Sequence, residues 1–102
     1  MTKEEFIEKY SIEPEAIFIG SDDEWEIYKD AIVGVTEDKC HIVYSYNKMV
    51  ESLVDSYMKE SYDKNRDYAT KAMQWIDYNT IRSIPYLSEN YKPIIIYNVE
   101  GL

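Results

Sequence analysis

The sequence predicts one α+β domain, in which a small and mainly antiparallel sheet of about four strands carries two to three helices packed on one face. Two β-branched and aromatic runs, residues 31–36 and 40–45, flank the short polar connector Glu37–Lys39, as in a β-hairpin. Apolar residues then recur as adjacent pairs every four positions over residues 49–58, the pattern of an amphipathic helix. A length of 102 residues, 45% of them hydrophobic, suits a single core.

Capping residues mark where the helices begin. Thr2 and Glu5 have the spacing of a capping box, which predicts a first helix over about residues 3–10. Ser45 or Asn47 can cap the helix that contains the paired apolar residues.

Two short runs follow the first helix. The apolar run Ala16–Ile19 predicts a short strand, which ends before Gly20. Residues 21–24 predict a polar loop, and residues 25–28 predict either another short strand or a turn anchored by aromatic side chains.

The C-terminal part predicts one more helix and one more strand. The charged run 62–67 predicts a loop, and residues 69–79 predict a helix that Pro85 prevents from continuing. Residues 93–97, with three consecutive isoleucines, predict a buried strand.

Negative charge is concentrated at the start of the chain. Residues 1–38 hold 12 acidic and three basic side chains, whereas residues 39–102 hold eight of each, so the net charge of −9 belongs to the first segment. We therefore interpret residues 1–102 as one domain with an acidic N-terminal segment, residues 1–38, and a hairpin, two helices and a final strand over residues 31–98. Such a segment attracts basic protein surfaces and repels nucleic acid and anionic lipid.

The sequence favours a cytoplasmic location. Cys40 is the single cysteine, so an internal disulfide is excluded and a reducing compartment is expected. The charged N-terminus lacks the apolar core of a signal peptide, and no apolar run approaches the ~20 residues that span a bilayer. We expect no membrane partner.

Few residues suit catalysis or metal binding. Cys40 and His41 are adjacent, and consecutive strand residues point to opposite faces, which argues against a thiolate–imidazole pair. Residues 22–24 and Glu26 offer carboxylates to a cation but lack the spacing and the glycine of an EF-hand loop. We expect no cofactor, no metal and no catalytic residue, although a carboxylate pair among the 20 acidic residues stays open.

Aromatic residues allow a core or an interface interpretation. Among the 11 tyrosines, Tyr44, Tyr57 and Tyr97 fall on predicted core faces. Trp75 adjoins Ile76 at the edge of an apolar helical stripe, which favours a core position over an exposed anchor at an interface.

Five blocks of the sequence carry a resemblance: Ala31–Asp38, Lys48–Glu51, Trp75–Arg82, Ile84–Tyr86 and Pro93–Tyr97. Together they resemble a family of short, acidic, uncharacterised proteins of Firmicutes genomes, their phages and integrated elements. The stretch Trp75–Tyr86 is the most specific part of the resemblance. The resemblance implies the cytoplasm of a bacterial host cell, where many short proteins inhibit or modulate larger host machines. It carries over no activity and no catalytic residue.

These observations predict a non-enzymatic inhibitor or modulator that docks on the basic surface of a nucleic-acid-binding protein and mimics DNA, as an anti-CRISPR or other anti-defence protein would. The predicted recognition residues are nine carboxylates and two aromatic anchors: Glu4, Glu5, Glu8, Glu13, Glu15, Asp22, Asp23, Glu24, Glu26, Trp25 and Tyr28. Three alternatives stay open: an acidic surface that only confers solubility, a small hydrolase-like enzyme with a carboxylate pair, and a homo-oligomeric accessory protein joined through residues 94–97.

Overall fold

Pairs of helices and strands follow one another along the chain in the computed structural model, which describes residues 1–60 and 67–97. The predicted α+β class is confirmed. The elements are α1 (Lys3–Tyr10), α2 (Trp25–Tyr28), β1 (Ile32–Val35), β2 (Ile42–Ser45), α3 (Tyr46–Glu60), α4 (Tyr68–Asn79) and β3 (Ile94–Ile96). Short 3₁₀ helices cover Asp22–Glu24, Lys29–Ala31 and Ile81–Tyr86.

The sheet has three strands within the described residues, in the order β1-β2-β3. The pair β1–β2 is antiparallel and the pair β2–β3 is parallel, so the sheet is mixed and not mainly antiparallel as predicted. The prediction of about four strands is wrong by one, because residues 16–19 do not join the sheet. The Ile17 amide donates to the Tyr91 carbonyl at 3.1 Å, and the Ile19 amide donates to the Tyr44 hydroxyl at 3.0 Å. These donors are thus satisfied without a neighbouring strand.

The predicted hairpin is present, and hydrogen bonds from side chains stabilise its turn. Asp38 Oδ1 accepts from Thr36 Oγ1 at 2.6 Å and from the Cys40 amide at 3.0 Å. These two hydrogen bonds lower the pKa of the Asp38 carboxyl. Lys39 adopts a left-handed backbone with φ 65°, which reverses the chain.

Each long helix begins at a capping side chain. The capping box of Thr2 and Glu5 is present at the start of α1, as predicted. Ser45 caps α3, because its Oγ accepts from the Lys48 amide at 3.3 Å, so β2 continues directly into the helix. Asp67 caps α4. The remainder of the predicted loop over residues 62–67 lies outside the described residues.

The last strand differs from its prediction in burial. Strand β3 lies at the edge of the sheet, and Ile96 is exposed, whereas residues 93–97 were expected to form a buried strand. Tyr97 is exposed as well, so its predicted core position is wrong. Helix α4 ends at Asn79 as predicted, and the 3₁₀ helix that follows it ends at Tyr86, one residue after Pro85.

The core forms around the central strand and α3, which packs against α2, α4 and β2. Ile42 and Tyr44 of β2 are almost fully buried. The buried hydrophobic cluster comprises Ile12, Ile19, Tyr28, Ala31, Ile42, Tyr44, Tyr46, Met49, Leu53, Ala72 and Ile76. The N-terminal segment therefore shares one core with the rest of the domain.

Candidate functional site

The nine predicted recognition carboxylates lie on the surface of the N-terminal segment. Eight of these side chains are exposed and one is partly buried: Glu4, Glu5, Glu8, Glu13, Glu15, Asp22, Asp23 and Glu26 are exposed, and Glu24 is intermediate. Their exposure leaves these charges hydrated and accessible, as a docking surface requires.

A cluster of packed aromatic rings lies within the segment that carries these carboxylates. The Phe6 ring centroid lies 5.6 Å from that of Trp25 and 6.0 Å from that of Phe18. The Trp25 indole Nε1 donates to the Met1 carbonyl at 3.2 Å. Helix α1, residues 16–19 and α2 are thus packed together, and the backbone that carries the acidic side chains is folded against this cluster.

Trp25 and Tyr28 are core residues, which corrects their assignment as exposed anchors. Trp25 is 9% exposed and Tyr28 is 2% exposed. Acidic neighbours on both sides of Trp25 made a surface position plausible, but its contacts are with Phe6 and Phe18, which are distant in sequence. This surface therefore presents carboxylates and neither of these rings.

Some of the negative charge is already paired within the domain. Lys3 Nζ lies 3.2 Å from Asp22 Oδ1 and bridges α1 to the first 3₁₀ helix. Lys29 Nζ lies 2.6 Å from Glu26 Oε2, and this hydrogen bond lowers the pKa of the Glu26 carboxyl. Glu24 Oε1 accepts from the Ser21 amide and hydroxyl. Within the described part of the chain, five of the predicted carboxylates form no ion pair or side-chain hydrogen bond: Glu4, Glu8, Glu13, Glu15 and Asp23.

Glu13 and Glu15 lie beside the hairpin turn. The Glu13 amide donates to the Lys39 carbonyl at 3.0 Å. Burial, together with the negative charges of Asp38 and Glu13, raises the pKa of the Cys40 thiol. The negative charge of Glu15 raises the pKa of Tyr91. The acidic surface therefore extends from α1 to the turn between β1 and β2.

The surroundings of Cys40 and His41 do not favour a nucleophile. The Cys40 Sγ lies 3.5 Å from the Asp38 carbonyl, and a raised pKa keeps the thiol protonated. The His41 Nδ1 hydrogen-bonds the Lys92 carbonyl at 2.7 Å. Since a carbonyl oxygen accepts and does not donate, this nitrogen carries the proton, and the ring holds β2 to the segment before β3.

The described carboxyls with a shifted pKa are all shifted downward. Hydrogen bonds from Lys29, Thr36 and Thr70 lower the pKa of Glu26, Asp38 and Asp67, respectively. A catalytic carboxylate pair needs at least one member with a raised pKa to act as a general acid. In residues 1–60 and 67–97, no group of three or more His, Cys, Asp or Glu is arranged to hold a metal ion.

Aromatic side chains are exposed on α4 and on the segment after it, where a core position was predicted for Trp75. Trp75 is 48% exposed, which corrects its favoured core interpretation, and Tyr78 and Tyr86 are more exposed still. Helix α4 buries a narrow stripe of Ala72 and Ile76, so Trp75 beside the stripe stays at the surface. Trp75 and Tyr78 are three residues apart, so they are neighbours on the surface of a helix. This spacing could have predicted an aromatic face outside the apolar stripe.

A groove of 280 Å³ lies beside Trp75. One wall comes from the segment between α1 and α2, and the other comes from the end of α4 and the segment after it. The lining residues are Ile17, Phe18, Ile19, Gly20, Glu24, Trp75, Asn79, Thr80, Ser83, Ile84, Leu87 and Pro93. The sequence did not reveal this groove, because its two walls are more than 50 residues apart in the chain.

Comparisons with known protein families, with curated proteins and with solved structures gave no match. No described helix is long and apolar enough to cross a membrane.

Proposed function

We propose that this protein is a non-enzymatic binding protein whose acidic N-terminal segment docks on the basic surface of a nucleic-acid-binding protein. The observation that carries the proposal is the local surplus of charge. Residues 1–38 hold the whole net charge of −9, and most of their acidic side chains are exposed. The aromatic cluster beneath them supports a preorganised array, which loses less conformational entropy on binding than a disordered acidic tail does.

The mechanism is substitution of carboxylates for phosphates. Lysine and arginine side chains that bind a nucleic-acid backbone also form charge-assisted hydrogen bonds with carboxylates. The five carboxylates without a partner in the described chain are available for such contacts. A bound acidic domain occupies the cationic site and excludes the nucleic acid without any chemical step.

The proposed setting is a bacterial cell that carries a phage or another mobile element. The resemblance of residues 31–97 to short acidic proteins of such elements supports it. In that setting the partner is a nucleic-acid-binding enzyme of host defence, such as a CRISPR effector, and the protein inhibits it.

Capture from a bacterial lysate tests the proposal directly. The bait is the full chain, and the salt is about 0.1 M or about 1 M, between which the Debye length falls from about 10 Å to about 3 Å. We expect a nucleic-acid-binding protein to be retained at low salt and released at high salt. The unlabelled bait should then displace a labelled nucleic acid from the purified partner.

Two variants with equal charge changes separate a local site from general acidity. The test variant Glu8→Gln, Glu15→Gln, Asp23→Asn removes three exposed charges from the acidic segment. The control variant Glu51→Gln, Asp55→Asn, Glu60→Gln removes three exposed charges from α3. We expect the test variant to weaken partner binding about tenfold and the control variant by less than about twofold. Retention that is independent of salt, or equal losses in both variants, contradicts the proposal.

A homo-oligomeric accessory protein is a second candidate, and the position of β3 favours it. This strand lies at the sheet edge, and Ile96 at its end is exposed together with Tyr97. Edge strands can pair with a second chain through their backbone groups. Sedimentation at high protein concentration tests this candidate: a dimer that Ile96→Lys converts to a monomer supports it, and a monomeric wild type contradicts it.

A further inference from the structure

We propose that the groove beside Trp75 receives an apolar side chain from a basic segment of the partner. The inference rests on the proposed function and specifies the partner's chemistry: a stretch rich in lysine or arginine that carries one large apolar residue. The groove would then supply the apolar anchor that Trp25 and Tyr28, as core residues, do not provide.

Hydrogen bonds hold one wall of the groove in place. The Ile17 amide bonds the Tyr91 carbonyl, and the Ile19 amide bonds the buried hydroxyl of Tyr44. Gly20 ends this wall with a left-handed backbone, φ 83°, and a Cβ at this position would lie 2.8 Å from Glu24 Cβ. The wall is therefore preorganised and closely packed against Glu24.

The opposite wall is the end of α4 and the 3₁₀ helix after it. The Asn79 side-chain amide donates to the Trp75 carbonyl at 3.1 Å, and the Ser83 hydroxyl donates to the Asn79 carbonyl at 3.0 Å. The second bond satisfies a carbonyl group at the helix end, where no intrahelical partner remains. Hydrogen bonds in both walls make the groove preorganised, which lowers the entropic cost of binding.

Trp75 supplies apolar contact area at the edge of the groove. About half of its side chain is exposed, and the remainder rests against the protein. A tryptophan in this position can cover a partner side chain as it enters the groove, and tryptophan is among the residues most enriched at binding hot spots. Ile84, Leu87 and Pro93 extend the apolar lining.

Charge complementarity selects a basic partner segment. Glu24 lines the groove itself, and Asp22 and Asp23 precede it on the same 3₁₀ helix. The Asp22 side chain is 91% exposed although it contacts Lys3. On the Trp75 side the nearby cation Arg82 lies over the Tyr78 ring, 4.9 Å from its centroid. Lysine or arginine residues that flank an apolar side chain would therefore meet carboxylates, whereas an acidic segment would be repelled.

Two matched peptides test the inference. Both are lysine-rich and equal in length and charge, one has a central leucine, and the other has serine at that position. They are titrated into the ¹⁵N-labelled full chain, in which the Trp75→Phe variant assigns the two indole resonances. We expect the leucine peptide to bind about tenfold more tightly and to shift the Trp75 indole resonance while that of Trp25 stays unmoved.

Two single variants provide the control. Trp75→Ala should abolish the preference for leucine, and Tyr86→Ala should preserve it, because Tyr86 is 90% exposed and does not line the groove. Equal affinity for the two peptides, or a preference that survives Trp75→Ala, overturns the inference.

Salt dependence separates failure of the inference from failure of the proposed function. Equal binding of both peptides that weakens at high salt and in the Glu8→Gln, Glu15→Gln, Asp23→Asn variant overturns the groove inference and leaves the acidic docking surface standing. A leucine preference with affinity insensitive to salt and to this variant supports the apolar groove, and it contradicts both the acidic docking surface and the basic character of the partner segment.

Discussion

The two tryptophans of this protein differ in exposure: Trp25 is buried and Trp75 is exposed. They lie in regions that differ in net charge. Trp25 lies within the acidic segment, where the aromatic rings are buried and the charges are exposed. Trp75 lies within the charge-balanced region, where α4 and the segment after it leave large aromatic side chains at the surface. If the proposed function is right, this contrast means that the acidic segment contributes electrostatic attraction to the partner, and that apolar contact comes from the other region.

The largest expected effect is the difference in the free energy of unfolding between alanine variants of the two tryptophans. Trp25→Ala removes the centre of an aromatic cluster and should lower the free energy of unfolding by about 3–5 kcal/mol. Trp75→Ala removes a half-exposed ring and should cost less than about 1 kcal/mol. Urea denaturation of both variants measures the difference, and similar losses would break the contrast between a structural and a surface tryptophan.

Two buried tyrosines provide a finer comparison. Tyr44→Phe removes the acceptor of the buried Ile19 amide and should cost about 1–3 kcal/mol. The Tyr28 hydroxyl has no hydrogen-bond partner among the described residues, so Tyr28→Phe should be neutral or stabilise by up to about 1 kcal/mol. Urea denaturation tests both, and a larger loss in Tyr28→Phe would show that its hydroxyl is satisfied.

Elements encoded by adjacent residues could be predicted from the sequence. The capping box at Thr2 and Glu5, the hairpin and the apolar stripe of α3 all depend on spacings of a few residues, so local pattern determined them. The exposure of eight of the nine carboxylates followed from their charge, since unpaired charges are rarely buried.

Features that depend on distant contacts could not be predicted. Residues 16–19 have the composition of a strand, but their amides bond Tyr44 and Tyr91, which are distant in sequence. The two tryptophans were assigned to the wrong environments because burial depends on which elements pack together. The groove was missed for the same reason, since residues from both regions line it.

Alkaline pH should destabilise the domain through its buried tyrosines. Burial raises the pKa of Tyr28 and of Tyr44 from 10 to about 12, so the folded state holds these protons more tightly than the unfolded state. Their contribution to stability is complete below pH 10 and is lost as the pH rises towards 12, by at most about 1.4 kcal/mol per pH unit for each group. Denaturation between these pH values measures the slope, and Tyr28→Phe should make it shallower. An unchanged slope would contradict the raised pKa of Tyr28.

The smallest expected effect is that of surface charge on folding. The variant Glu8→Gln, Glu15→Gln, Asp23→Asn removes exposed carboxylates from a segment with excess negative charge, so its stability should stay within about 0.5 kcal/mol of wild type. Thermal denaturation at low salt checks this. A large loss of stability would mean that these carboxylates support the fold. A binding defect of the variant could then not be attributed to the docking surface.

Association kinetics with the captured partner test the central claim most directly. The rate constant is measured against ionic strength for wild type, for the acidic-segment variant and for the control variant Glu51→Gln, Asp55→Asn, Glu60→Gln. A localised acidic docking surface predicts that wild type and the control associate rapidly at low salt and slow about tenfold or more as salt rises. The acidic-segment variant should associate slowly from the start and depend weakly on salt. Identical salt profiles for the two variants would contradict the claim that the acidic N-terminal segment is the docking surface.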